Sequence, residues 1–195
     1  MSAQFVAHAL SYCLGKGNIS LKGKRRRPWL EISRSEVDRT YLSHQLRNLR
    51  YSHDGSVDYY SDRLATNGFY DLERIRFQGE RLWRAYELLY PRDEKVISRE
   101  VLDIVGIKGL TALWLDQGRI VGKKGSIRGK YTEQDYEVLE SYLNDIDIPA
   151  KIHRNQNAII QLSIKKDSLI ELITRIRPYV HITMKKKLRE QKKIK

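Results

Sequence analysis

Apolar residues recur along this chain at two alternating periods, and the order of those periods repeats. Phe5, Val6, Ala9, Leu10, Cys13 and Leu14 fall at helical spacing, which predicts a helix over 4–14 that Gly15 and Gly17 stop. Ile19 to Leu21 and "PWLEIS" read as two strands joined by a basic loop, Lys22 to Arg27. Ser35, with Asp38 three positions on, has the form of a capping box. It opens a helix carrying Val37, Tyr41, Leu42, Leu46 and Leu49. "SVDYYSD" and "YDLERIRFQ" alternate about Asn67 and Gly68, a second strand pair. A helix over 79–90 follows, with Leu82, Trp83, Tyr86, Leu89 and Tyr90 as its apolar positions, closed by Pro91.

The second half runs through the same series. An apolar helix covers about 109–117 and ends at Gly118. Strand material follows around Ile120 and Ile127. Thr132 with Asp135 opens a helix carrying Tyr136, Leu139 and Leu143. "AKIHRN" and "AIIQLSI" make a strand pair, and a last helix over 167–176 stops before Pro178. The order αββαββα is therefore read twice. It predicts an α+β fold of two pseudo-symmetric half-domains, over 1–91 and 109–184. The linker 92–108 has its own apolar turn at Val101, Leu102, Ile104 and Val105, and reads as packed. Residues 185–195 hold seven Lys or Arg against one Glu, the composition of a disordered arm or one ordered by a partner.

Charge narrows the function classes. Lys and Arg number 37 against 24 Asp and Glu, a net charge of +13. Such an excess suits a polyanionic partner, because each cation placed on a phosphate releases condensed counterions. The single cysteine, Cys13, lies inside an apolar run and cannot form an internal disulfide, so it reads as a small buried hydrophobe in a reducing compartment. No run reaches the roughly 18 apolar residues of a membrane span, and no signal peptide is recognisable. The expectation is an intracellular protein without membrane contact. His8, His44, His53, His153 and His181 are scattered without metal-ligand spacing. There is no glycine-rich phosphate loop.

Two short segments carry more. "ALSYCLGKG" (9–17) and "LTALWLDQG" (110–118) each end in a polar residue and a glycine. Both resemble the LAGLIDADG signature of homing endonucleases. Leu110, Leu113, Gly118 and Gly17 coincide with it, and Ser11 and Ala112 keep a small residue at the family's first glycine. The stretch from "YTEQDYEVLESYLNDIDIPAKIHRNQNAIIQLSI" to "IRPYVHITMKKKL" is similar to the C-terminal half of single-chain members. The resemblance implies two motif helices side by side at a pseudo-two-fold axis. It also implies a saddle of two four-stranded sheets that enters the DNA major groove, which can distinguish all four base pairs. It makes Lys22, Lys24, Arg25, Arg26 and Arg27 of the first hairpin candidate DNA contacts. Lys123, Lys124, Arg128 and Lys130 are their counterparts in the second half, with Lys185 and Lys186 in the tail. Tyr59 and Tyr60 are further groove candidates, one of which must point inward.

In that family the residue before the final glycine is the acid that binds the catalytic metal. Here those positions hold Lys16 and Gln117. Lys187 falls on one of the family's active-site lysines, and Lys95 on the other. Asp116, one helical step of about 100° from Gln117, is expected to turn away from the axis. These residues imply a duplex-DNA-binding protein with impaired or absent catalysis and no symmetric two-metal site. No cofactor is expected, with Mg²⁺ needed only if nuclease activity survives. The alternatives are an active or nicking homing endonuclease and an RNA-binding intron maturase. The chain is read as a monomer with internal pseudo-symmetry, open to a role in a larger protein assembly. Its expected compartment is the cytoplasm or an organelle with an intron-bearing genome.

Overall fold

The structure is a computed structural model that describes residues 3–24, 26–52, 58–66, 69–154 and 160–189. It consists of two units, Met1–Lys95 and Val96–Lys195.

The first unit contains α1 (Ala3–Leu14), β1 (Asn18–Lys22), β2 (Arg27–Ser35), α2 (Arg39–Ser52), β3 (Asp58–Thr66), β4 (Phe69–Gln78) and α3 (Leu82–Leu89). Its four strands form one antiparallel sheet in the order β1-β2-β4-β3. Strand alternation sorts β2 and β4 into two faces. Leu30, Ile32, Ile75 and Phe77 are buried, against a core that includes Phe5, Leu10, Leu14 and Leu49. Trp29, Glu31, Arg74, Arg76 and Gln78 are partly accessible on the other face. Arg34 shares the buried face. Its Nε donates to Gln45 Oε1 at 2.7 Å, and its guanidinium lies 4.5 Å from the Tyr41 ring centre. A buried cation is tolerable only with such partners.

The second unit contains α4 (Arg99–Gln117), β5 (Gly118–Val121), β6 (Lys124–Ile127), α5 (Glu133–Asp145), β7 (Ala150–Arg154), β8 (Ile160–Ile164) and α6 (Lys166–Ile176). Its sheet order, β5-β6-β8-β7, reproduces the first. The core includes Trp114, Leu139, Leu143, Leu162, Ile164 and Leu172. Thr132 and Asp135 form the full reciprocal capping box at the start of α5. The Asp135 carboxylate also accepts the Ile97 backbone N–H at 2.6 Å, so one buried side chain fastens both the helix start and the incoming chain.

The twofold αββαββα order is as the hydrophobic pattern predicts. Several local details differ. β2 runs on through Ser35, and a 3-10 turn over Glu36–Asp38 precedes α2. Val37 and Trp83 are exposed. Val37 stands on the 3-10 turn outside α2, and Trp83 lies off the α3 face that buries Leu82, Ala85 and Leu89. The apolar turn at 101–105 belongs to the first part of α4, which breaks at Gly106. There φ is +53°, a conformation open to glycine. Lys185, Lys186 and Lys187 stand on an ordered 3-10 segment, Ile182–Leu188, anchored by buried Met184. They are not part of a free arm, and residues 190–195 of that arm lie outside the described residues. Among the described residues, no helix is long and apolar enough to cross a membrane.

Candidate nucleic-acid interface

Each unit's first helix leads directly into its sheet, and a glycine makes the junction. The α1 end is closed by Gly15 N–H and Gly17 N–H, both donating to Tyr12 O, at 3.2 and 2.8 Å. A Cβ on Gly17 would lie 2.8 Å from that same oxygen. Gly118 sits tighter still. A Cβ there would come within 2.4 Å of Trp114 Cδ2 and 2.5 Å of Trp114 O. Both motif glycines are thus required by close approach to the preceding helical turn.

Lys16 is exposed between Gly15 and Gly17. Lys95 reaches the same helix end: its ammonium donates to Cys13 O and lies 3.5 Å from Gly17 O. It therefore neutralises the negative end of the α1 dipole and caps its last turn. Cys13 is buried, and burial pushes its thiol up to about 12, with the nearby Lys95 charge only partly offsetting this. An inert, buried thiol is what the apolar run around it predicts.

In the second unit the helix end opens on a cleft of about 540 Å³. Asp116 and Gln117 line it from α4, and Arg119, Lys124, Ser126 and Arg128 from β5 and the β6 strand and its end. Gln161 and Ser163 line it from β8, and Lys187 from the 3-10 segment. Strand alternation explains the set, since Arg119 pairs with Ser126, and Ser126 with Ser163, on the accessible face. Asp116, expected to turn away from the pseudo-two-fold axis, borders the cleft together with Gln117. The helix ends there, so neighbouring positions reach the same opening. Four cations and one carboxylate make this lining fit for an anion. A hard dication wants several anionic oxygens, and one carboxylate beside a neutral amide does not meet that need. Among the described residues no three His, Cys, Asp or Glu side chains gather as a metal-binding set. His8 instead pairs with Ser52 at 3.3 Å, and His44 with Asn48 at 3.2 Å. His53 lies outside the described residues.

The first unit's accessible face carries a smaller depression of about 360 Å³ at the β1–β2 hairpin. Lys22, Lys24 and Arg27 line it, together with Trp29, Arg76 and Gln78. Arg26 turns elsewhere, to an exposed ion pair with Asp93 at 3.8 Å. Arg25 lies outside the described residues, as do the side chains of Tyr59 and Tyr60. Of the second-unit candidates, Lys124, Arg128 and Lys187 converge on the cleft. Lys123, Lys130, Lys185 and Lys186 are exposed and do not line it.

Sequence reading missed Arg74, Arg76, Trp29 and Arg119. The signal was present. In "ERIRFQ", with Ile75 and Phe77 turned inward, Arg74, Arg76 and Gln78 must share the other face. Glu31 lies among them. Its carboxylate accepts from Lys22 Nζ at 3.2 Å, Arg76 Nε at 3.3 Å and Arg74 Nη1 at 3.4 Å. Burial alone would raise its pKa, but the hydrogen bond and charge of Lys22 and the charge of Arg74 outweigh it and hold the carboxyl below the usual glutamate range.

The chain is thus an α+β protein of two αββαββα units, each with a glycine-ended first helix feeding a sheet with a cationic face. The LAGLIDADG DNA endonuclease family model matches residues 12–172, and the chain belongs to that family. Its fold is similar to that of the homing endonuclease I-WcaI, solved bound to its DNA recognition sequence. That match has 18% identity and a TM-score of 0.76, covering 98% of this chain and 88% of that one. A second similar structure is I-DmoI in complex with DNA and Mn, at 15% identity and a TM-score of 0.58, covering 93% and 100%. A third is the N-terminal LAGLIDADG domain of DUF199/WhiA, at 14% identity and a TM-score of 0.53, covering 95% and 87%. No curated protein sequence matched the chain.

Proposed function

We propose that this chain binds duplex DNA through the accessible faces of its two sheets, in the major groove, and that it cleaves poorly or not at all. Family membership and the DNA-bound similar structures support the choice of partner. The cationic faces support it on physical grounds. The observation that carries the loss of catalysis is the lining of the second-unit cleft. Gln117, at the position of the family's acid, faces an opening shared by Arg119, Lys124, Arg128 and Lys187. Lys16 takes the corresponding position in the first unit. An amide and an ammonium do not replace two carboxylates as magnesium ligands. Arg and Lys at the same place still favour phosphate.

Asp116 supports a second reading. It borders the cleft beside Gln117, which puts one carboxylate at the opening, as nicking of a single strand would require. Electrophoretic mobility shifts with selected duplex, run beside strand-cleavage assays in Mg²⁺ and Mn²⁺, test both. Binding with both strands intact is the expected result. A nick abolished by Asp116→Asn establishes the second reading, and double-strand cleavage contradicts the first.

A further inference from the structure

The two sheets differ in one respect that charge counts hide. The second unit's strands, GRIV, KGSI, AKIHR and IQLSI, contain no Asp or Glu. The first unit's accessible face places a carboxylate, Glu31, at the centre of its cations. Glu31 is opposite Asn18 on β1 and Arg76 on β4, and its two oxygens take hydrogen bonds from Lys22, Arg74 and Arg76. On a surface meant only to grip phosphate, such a residue is counterproductive. It cancels charge and repels the polyanion. What it supplies instead is order. A guanidinium that donates to a fixed carboxylate has given up much of its side-chain freedom before a ligand arrives, and its plane is set. Planar, preset guanidinium groups are what bidentate reading of a guanine edge requires.

Resting on the DNA-binding reading above, we propose that Glu31 is a specificity-determining positioning residue, which holds Arg74 and Arg76 for base edges and keeps them and Lys22 from indiscriminate phosphate contact. The first sheet then reads sequence, while the acid-free second sheet supplies sequence-independent grip.

The test is selection from a random duplex pool, followed by salt titration on selected and scrambled duplexes, with the full chain and its Glu31→Gln variant. Glu31→Gln is expected to bind scrambled duplex about three- to tenfold tighter. Its log–log salt slope should steepen by about one, and its discrimination should fall about tenfold. Arg76→Gln gives the complementary arm and decides the matter if Glu31→Gln loses its cooperative melt. It should lose discrimination with little change in slope, because Arg76 is held by Glu31 and not by phosphate. A Glu31→Gln variant with the wild-type consensus and slope overturns this proposal alone, as does an Arg76→Gln slope shallower by about one. A wild-type chain that enriches no duplex overturns the DNA-binding reading, and this proposal with it.

Discussion

Gly118 shows how much one missing carbon can decide. The Trp114 ring occupies the space a Cβ would need, so Gly118→Ala must displace a fully buried indole or the turn itself. Overpacking of that kind costs about 1–3 kcal/mol, and a denaturant melt should show it. A loss within experimental error would mean the α4–β5 junction is looser than described. The glycine was legible in the sequence as the end of a motif. Its reason was not, because nothing in "LWLDQG" says that the tryptophan folds back over the following strand. Cys13 was legible in full: an apolar run predicted burial, and burial raises its thiol to about 12. Native protein at pH 8 should therefore resist a soluble thiol reagent, labelling only as it unfolds. Rapid labelling of the folded chain would contradict this. Lys95 stood only as a position in a family pattern. Its bond to Cys13 O, 82 residues away in sequence, makes it a cap of α1.

Elements were read well where a local rule governs them. The T-x-x-D spacing predicted the α5 capping box, and the structure has both of its bonds. It could not predict the third, from Ile97 N–H, which depends on where the chain enters the unit. Asp135→Ala should consequently cost more than an ordinary cap, roughly 2–4 kcal/mol, since it leaves a buried N–H unpaired. A loss below about 1 kcal/mol in urea unfolding would show that the Ile97 bond contributes nothing. In the β1–β2 hairpin, composition marked a run of cations but not their directions. Turn geometry decides those: Arg26 has φ of +46° and pairs with Asp93, whereas Arg27 lines the depression on the accessible face. Arg27→Ala is expected to make the salt dependence of duplex binding shallower by about one, and Arg26→Ala to change it little. Equal effects from the two would remove the assigned directions. The same parity argument would have found Arg74 and Arg76, had the inward positions of β4 been fixed first.

For the whole molecule, hydrophobic period sufficed for the order of the elements, and charge for the class of partner to expect. Two rounds of helical then alternating spacing gave two αββαββα units, and a net charge of +13 pointed to a polyanion. What they could not supply was the arrangement of cations within a unit, because it depends on strand pairing between residues far apart in sequence. The cleft of the second unit joins α4, three strands and the 3-10 segment near the C-terminus, and only folding brings Gln117 and Lys187 to one opening. The central claim is that recognition persists at this surface while metal-dependent cleavage does not. The most direct measurement is one reaction: the full chain is incubated with a duplex selected from a random pool, in Mg²⁺ and separately in Mn²⁺, and both strands are resolved on a denaturing gel beside a native gel of the same mixture. The account predicts a shifted complex with both strands at full length; strands cut at one defined position in the duplex would contradict it.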